Sequence, residues 1–184
     1  MPPNIEEPGP AGDALRAEIG NEAYELNVQQ FCCAGLNFGY FYSGSPIIVA
    51  DGEHTAPDYS MGAFTPSTVP GCRAPHFWLA DGRSLYDAFG PGYTMLRFDR
   101  SVDVRPLERA AAAYSMPLTV LDIETEEVPS VYTHRLVLCR ADQHVAWRGA
   151  HLPAEVYDLV GTLRGEGRRI LSRRRALAWE GVVA

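Results

Sequence analysis

The fold is decided by residues 93–123, which have the sequence YTMLRFDRSVDVRPLERAAAAYSMPLTVLDI. Apolar residues at both ends of this stretch predict buried strands over Tyr93–Phe98 and Leu118–Ile123. Between them, Asp103 is placed to cap a helix over Val104–Tyr114, with a proline in its first turn. A strand, a helix and a second strand in succession predict a crossover connection, so the two strands are expected to be parallel.

Two further strands and a helix are predicted downstream. Val131–Cys139 and His144–Arg148 are rich in apolar residues and flank a turn near residues 141–142, a pattern typical of a β-hairpin. Pro153 opens a last helix with one apolar face, which Gly165 is placed to end. The predicted fold class is therefore α/β, a thioredoxin-like mixed sheet flanked by helices, with an N-terminal helix and an aromatic strand extension.

The N-terminal part of the chain has a different character. Asp13–Gln30 is predicted to form a helix, and the segments Leu36–Tyr42 and Ile47–Ala50 are predicted to form strands. Residues 51–75 contain four prolines and three glycines, which indicates an irregular linker. The predicted division is residues 1–69, with the helix, aromatic strands and linker, and residues 70–184, the thioredoxin-like domain.

Composition excludes several classes of protein. The 184 residues carry 23 acidic and 16 basic side chains, a formal net charge of −7, and every basic residue is arginine. Without lysine, the chain can form neither a Walker-type phosphate loop nor a lysine Schiff base. The negative charge gives no general attraction to nucleic acid, and no apolar run is long enough for a membrane span. The acidic N-terminus predicts that no secretory signal is present.

The cysteines indicate a reducing compartment. Cys32, Cys33, Cys72 and Cys139 are too few to cross-link a chain of this length, and none has the C-x-x-C spacing of a zinc or thioredoxin site. Adjacent Cys32 and Cys33 could form only a strained vicinal disulfide, so two free thiols are favoured. We therefore expect a cytoplasmic protein without a metal site.

One segment resembles the opening of peroxiredoxins. Residues 70–99, PGCRAPHFWLADGRSLYDAFGPGYTMLRFD, share with that family a Gly-x-x-Ala-Pro entry, an Asp-Gly turn and a Ser-Leu helix start before a strand. The resemblance implies a peroxidatic cysteine just after Phe98, where the dipole of the next helix would lower its pKa. No cysteine occurs there, so a thiol peroxidase or disulfide exchanger is not expected.

A second resemblance covers nearly the whole chain. Its pieces are YELNVQQFCCAGLNFGYFYSGSPIIVADG (residues 24–52), PGCRAPHFWLADGRSLYDAFG (70–90) and LVLCRADQHVAWRG (136–149). In this order they resemble the C-terminal third of flavin-dependent aromatic hydroxylases, in the branch of the phenol, chlorophenol and polyketide hydroxylases. The resemblance implies a last, thioredoxin-like domain without redox cysteines that contributes to packing and subunit contacts. Ala141 stands where that family commonly has proline.

The same resemblance sets the cofactor expectation. In that family FAD lies on a G-x-G-x-x-G loop after the first strand, and a second Gly-Asp motif also contacts it. Neither motif occurs in these 184 residues. No cofactor is therefore expected in this chain, and FAD and NAD(P)H are expected only if it is partnered with the missing flavin domains. The chain resembles a freestanding descendant, or a fragment, of the last domain.

The candidate binding residues are aromatic. Phe38, Tyr40 and Tyr42 suit either a packed strand or a pocket for a polycyclic substrate, with packing favoured. His76 and Trp78 suit either a cleft wall, where Trp78 stacks on a flat ligand, or a structural corner in which Trp78 fills the core. The corner is favoured. No catalytic residue is assigned.

Two polar groups have structural explanations. Arg148 and Asp142 flank Trp147 and are predicted to form an ion pair or backbone hydrogen bonds that brace the hairpin turn, with a catalytic role as the less favoured alternative. The loop over residues 51–58 holds three acidic residues and a histidine. Its spacing matches no metal-ligand pattern, so a solvated acidic loop is favoured.

The favoured function is an accessory or remnant domain of a flavin-dependent aromatic-ring monooxygenase, acting in binding and assembly without redox activity of its own. The alternative is a small cofactor-free enzyme, of cyclase or isomerase type, acting on an aromatic or polyketide-like substrate. The expected partners are a second copy of the chain or a flavoprotein hydroxylase, and an aromatic small molecule. In a homodimer, Leu36–Tyr42 would supply apolar contacts, and the acidic first 30 residues would face the Arg-rich residues 164–184 of the other copy.

Overall fold

The computed structural model describes residue 2 and residues 4–42, 44–52 and 54–166. Within these residues the chain forms two compact units. The first comprises the residues up to Gly39 together with Tyr59–Thr65, and the second comprises Tyr40–Asp58 and the residues from Pro66 onward. The predicted division between residues 69 and 70 stays a prediction.

Secondary structure differs between the units. The first unit is helical, with α1 (Pro10–Phe31) and α2 (Ala34–Phe38). The described part of the second unit contains a sheet with two helices and a short 3₁₀ turn. In chain order, its elements are the 3₁₀ turn (Tyr86–Ala88), β1 (Tyr93–Arg97), α3 (Arg105–Ala113), β2 (Leu118–Asp122), β3 (Leu136–Cys139), β4 (Val145–Gly149) and α4 (Val156–Leu163).

The sheet has the order β2-β1-β3-β4 across the described residues. β1 and β2 are parallel, with Tyr93 opposite Leu118, because α3 carries the chain back between them. β3 runs antiparallel to β1 and forms a hairpin with β4, with a register shift at Leu138/Cys139. The predicted α/β mixed sheet flanked by helices is confirmed. Its thioredoxin-like description stays a prediction.

Alternation along the central strands places apolar side chains on both faces of the sheet. On one face, Met95 and Leu138 pack against residues of α3 and α4. On the other face, Leu96 and Val137 pack with Phe77 and its neighbours before β1. Burial on both faces explains why β3 is a continuous apolar run.

α1 confirms the predicted N-terminal helix. It begins with Pro10, which suits the first helical position because proline has no amide hydrogen to leave unpaired there. Its side chains Tyr24, Leu26 and Phe31 are exposed. None of the helices in the described residues combines the length and apolar character that crossing a bilayer requires.

The prediction of strands over Leu36–Tyr42 and Ile47–Ala50 is wrong. The first segment starts inside α2, and Phe41 makes an isolated bridge to Cys72. In the second segment the Val49 amide donates to the carbonyl oxygen of Ala146 at 2.8 Å, but residues 47–50, all of which the structure describes, form no strand. The aromatic and β-branched side chains favour extended backbone, yet a strand also needs a partner along its length, and these segments have isolated bonds instead.

Candidate functional site

Four side chains of the second unit meet near the turn of the β3–β4 hairpin, and we name Tyr40, Tyr42, Arg140 and His144 the aromatic cluster. The His144 ring centroid lies 4.9 Å from that of Tyr40 and 4.7 Å from that of Tyr42. The guanidinium carbon of Arg140 lies 4.9 Å from the Tyr42 ring centroid, a cation–π distance. The partly exposed rings of Tyr40 and Tyr42 and the cation of Arg140 can hold a planar aromatic group with a polar substituent.

Backbone bonds from the Pro-Gly motif position the aromatic cluster. The Tyr42 amide donates to the Gly71 carbonyl oxygen at 3.0 Å, and the Gly71 amide donates to that of Val145 at 2.7 Å. Gly71 has a φ of 103°, and a Cβ there would lie 2.9 Å from the Tyr42 carbonyl oxygen. Glycine alone adopts such a φ without strain and permits so close an approach. This glycine therefore sets where Tyr42 lies.

His144 is the buried centre of the cluster, with 0% of its side chain exposed. Its Nδ1 lies 2.9 Å from the backbone oxygen of Asp142, which assigns the proton of a neutral imidazole to Nδ1. Nε2 is then an acceptor, and it has no hydrogen-bond partner among the described residues. Partial desolvation of this exposed phenol, followed by the charge of Asp142, raises the pKa of Tyr42, so the phenol keeps its proton at neutral pH.

His76 and Trp78 lie beside the Asp81-Gly82 turn. Trp78 is 54% exposed, and its ring stands edge-on to that of His76 at 5.0 Å. Phe77, between them, is buried. The favoured prediction that Trp78 fills the core is wrong, because alternation in this extended piece sends the intervening Phe77 inward instead.

Arg73 connects the aromatic cluster to the residues around His76. Its backbone forms an isolated bridge with His144, and its guanidinium carbon lies 5.1 Å from the ring centroid of Tyr86. Tyr86 in turn contacts His76 at 5.3 Å between centroids. A series of contacts through Arg73 and Tyr86 therefore links His76 to His144, which packs against Tyr40 and Tyr42, although 36 positions separate Tyr40 from His76 in the sequence.

Phe38 belongs to the first unit. It is the last residue of α2, and its ring packs 6.0 Å from that of Phe64. The prediction of one strand containing Phe38, Tyr40 and Tyr42 is wrong, since α2 ends between them. A role in ligand binding for these residues, and for His76 and Trp78, stays a prediction.

The buried ion pair of the second unit joins Arg148 to Asp51. Nε and Nη2 of Arg148 donate to Oδ2 of Asp51 at 2.8 and 2.6 Å, and Nη1 donates to Oγ1 of Thr68 at 2.9 Å. The two charged side chains are 5% and 9% exposed. Asp142 pairs instead with Arg140 at 2.9 Å. The predicted Arg148–Asp142 pair is wrong because β4 carries Arg148 away from the turn that holds Asp142.

A cleft of about 340 Å³ lies beside this ion pair. Asp51, His54 and Tyr42 supply polar groups to its wall, and Ile48 and Val69 supply apolar ones. This volume and mixed lining fall in the range of small-molecule sites. The predicted solvated acidic loop is wrong for Asp51, because Arg148 draws its carboxylate into the interior. No group of three or more His, Cys, Asp or Glu side chains in the described residues is arranged to hold a metal ion, and Glu53 lies outside those residues.

Carboxylates occupy the connection between β1 and α3, where the peroxiredoxin resemblance implied a thiol. Asp99 Oδ1 accepts from the amide and hydroxyl of Ser101 at 2.9 and 2.6 Å, and Asp103 Oδ1 accepts from the Arg105 amide at 3.0 Å. The Ser101 bonds hold the pKa of Asp99 below its usual value. The Arg105 guanidinium, which donates to Asp103 at 2.8 Å, and then the Arg105 amide lower the pKa of Asp103 to about 2. The connection therefore holds hydrogen-bonded carboxylates and contains no nucleophilic sulfur.

We expect peroxide turnover with dithiothreitol to stay at the level of buffer alone. Burial raises the pKa of the Cys139 and Cys72 thiols, so neither is a thiolate at neutral pH. Peroxide consumption should also be unchanged when each of the four cysteines is replaced in turn by serine. Turnover that one such replacement abolishes would contradict this expectation.

Fold and site together define a small α/β domain that presents aromatic side chains at its surface and carboxylates, not a thiol, between β1 and α3. Residues 67–172 match the family described as aromatic-ring hydroxylase, C-terminal. The match spans more than half of the chain, and the chain belongs to this family. The predicted resemblance to flavin-dependent aromatic hydroxylases is confirmed.

Similar proteins are several times longer than this chain. It is 32% identical over 122 residues to the FAD-dependent monooxygenase apdD of Emericella nidulans. The aligned region covers 62% of this chain and 20% of that protein. The chain is 28% identical over 159 residues to phenol 2-monooxygenase of Pseudomonas sp. strain EST1001, covering 77% and 25%. The structure of RebC soaked with chromopyrrolic acid, with bound 7-carboxy-K252c, matches this chain with 36% identity and a TM-score of 0.73. The match covers 90% of this chain and 31% of the RebC chain.

Proposed function

We propose that these residues act as the C-terminal domain of an FAD-dependent aromatic-ring monooxygenase, in binding and assembly, and carry out no redox step themselves. The match of residues 67–172 to the C-terminal domain family is the observation that carries this proposal. The chain spans 20% and 25% of two curated monooxygenase relatives. Flavin chemistry is assigned to the remainder of such a protein, on the same polypeptide or on another.

The residues after β1 do not fit FAD. A dinucleotide site places its pyrophosphate against free amides of a glycine-rich loop at a helix N-terminus. Here the Asp99 and Asp103 carboxylates accept hydrogen bonds from the amides of Ser101 and Arg105 in that connection. We therefore assign FAD binding to other domains of the monooxygenase and a structural role to this chain.

We expect the purified chain to be colourless and to release added FAD. After incubation with excess FAD and gel filtration, the protein peak should carry no stoichiometric flavin absorbance, because the amides that would hold the pyrophosphate are already bonded. A flavoprotein with a glycine-rich dinucleotide loop, treated in parallel, should retain its flavin. Stoichiometric flavin on this chain would overturn the assignment of FAD to other domains.

Exposed apolar surface supports the assembly part of the proposal. Leu36 and Phe38 of the first unit are exposed, and so are Tyr40 and Tyr42 of the second. Exposed apolar side chains commonly mark a site of protein contact. We propose that the segment Leu36–Tyr42 contributes to a homodimer or to the contact with a flavoprotein hydroxylase. Most of the arginines proposed to face the acidic N-terminal residues lie outside the described residues.

We expect a homodimer at micromolar concentration that loosens as salt is raised. Exposed ion pairs contribute about 0–1 kcal/mol each, so burial of apolar surface must supply most of the affinity. Sedimentation velocity at low and high salt measures both contributions. A monomer in both buffers would contradict the dimer, and a salt-insensitive dimer would remove the role of the charged termini.

The aromatic surface supports a proposal about small molecules. Tyr40, Tyr42, His76 and Trp78 are proposed to contact a planar aromatic compound, because their exposed rings offer stacking surface. Arg140 adds a cation beside Tyr42. A cytoplasmic location is proposed as well, since all four cysteines are free thiols.

A further inference from the structure

Two adjacent thiols form the junction between the helices of the first unit, and we call Cys32 and Cys33 the dithiol. The Cys32 amide donates to the carbonyl oxygen of Val28 at 2.6 Å, which closes α1. The Cys33 carbonyl oxygen accepts from the Asn37 amide at 3.0 Å, which opens α2. Helical hydrogen bonds on both sides therefore hold the backbone of the dithiol.

The dithiol is accessible, whereas the other cysteines are buried. Cys32 is exposed and Cys33 is half-buried, and both are free, while Cys72 and Cys139 lie in the interior. The side-chain amide of Asn37 donates to the Cys33 sulfur at 3.6 Å, which orients that sulfur. A reagent that requires two neighbouring thiols can therefore reach this pair without opening the core.

A direct disulfide suits this pair poorly. Consecutive Cα atoms lie about 3.8 Å apart, whereas the Cα atoms of disulfide-linked cysteines lie about 4.4–6.8 Å apart. Closing the bond would strain the planar peptide between the two residues. A single atom bonded to both sulfurs spans a wider gap and relieves that strain. The geometry thus favours chelation over oxidation.

We propose that Cys32 and Cys33 form a chelating site for a thiophilic trivalent metalloid, with arsenic(III) as its representative. Thiolates are soft ligands and prefer soft acceptors. With phenylarsine oxide, two arsenic–sulfur bonds form and the arsenic–oxygen bond breaks. The two thiol protons leave with that oxygen as water, arsenic stays trivalent, and no oxidant or reductant is needed. The inference is independent of the proposed monooxygenase role, because it rests on the first unit alone.

Titration of the full chain with phenylarsine oxide, followed by intact-mass spectrometry, tests the site. We expect one phenylarsenic adduct per chain, mapped to the peptide with residues 32–33, resistant to excess 2-mercaptoethanol and released by 2,3-dimercaptopropanol. Cys32→Ser and Cys33→Ser should each bind about 100-fold more weakly or worse, because the second bond is no longer intramolecular. Cys72→Ser is the matched control and should bind like the unaltered chain.

Several results would overturn the proposal. They are no adduct on the unaltered chain, an adduct that 2-mercaptoethanol removes as readily as from Cys33→Ser, or an adduct mapped to Cys72 or Cys139. Equal affinity of Cys32→Ser and the unaltered chain would do the same. Peptide mapping of the unaltered chain needs no variant, and helical circular dichroism verifies that both serine variants retain their fold.

Discussion

Replacing Asp51 with alanine should lower the free energy of unfolding by about 3–5 kcal/mol, the usual cost of removing one partner from a buried ion pair. Arg148, only 5% exposed, would keep its charge in the interior with Thr68 as its remaining hydrogen-bond acceptor among the contacts described above. Urea denaturation followed by tryptophan fluorescence measures the change as a shift of the midpoint at constant slope.

Two companion variants separate charge burial from other effects. Asp81→Ala removes the exposed Arg83–Asp81 pair, joined at 2.7 Å, and should change stability by less than about 1 kcal/mol. Combining Asp51→Ala with Arg148→Met should recover part of the loss, because no unpaired charge then remains buried. Equal effects of Asp51→Ala and Asp81→Ala would show that the pair between Asp51 and Arg148 does not hold the loop to the sheet.

Replacing Leu138 with alanine should lower the free energy of unfolding by about 2–5 kcal/mol. Leu138 lies on β3, a strand with neighbours on both sides, and its side chain is fully buried in the cluster that α3 and α4 complete. Removing its branched end leaves a cavity that the flanking strands and helices can fill only in part. The same urea titration measures this loss.

Leu26→Ala is the matched control for Leu138→Ala. The Leu26 side chain on α1 is 77% exposed, so the same truncation should change stability by no more than about 0.5 kcal/mol. A comparable loss at both positions would mean that α1 is covered in solution, which the sedimentation experiment would then reveal as self-association.

Much of the second unit could be predicted from local patterns. The strand, helix and strand over residues 93–123 and the last helix occur within a few positions of where they were expected. The hairpin also forms, although its first strand begins at Leu136 instead of Val131. Each depends on interactions between residues near in sequence: apolar periodicity, a proline in the first turn of α3, and a short turn between β3 and β4. The parallel pairing of β1 and β2 followed as well, because α3 returns the chain to the end of the sheet at which β1 began.

Local patterns failed where the conformation depends on distant residues. The aromatic alternation after Leu36 predicted a strand, but no neighbouring strand pairs along its length in the described residues, and α2 forms in its first half. The prediction for Trp78 failed because burial of Phe77 against the sheet, rather than hydrophobicity alone, decided which ring faces inward. In the candidate site, the aromatic residue types were predicted, but their grouping around His144 was not.

The sequence by itself determined the mixed sheet, the family and the missing thiol after Phe98, because these follow from residue order and from short-range periodicity. Only the tertiary structure decided that Arg148 pairs with Asp51, 97 residues away, and that His144 is buried under Tyr40 and Tyr42. A charge or an imidazole can satisfy its polar atoms with many partners. Which partner it takes depends on which surfaces the packed sheet brings together, and no local pattern records that.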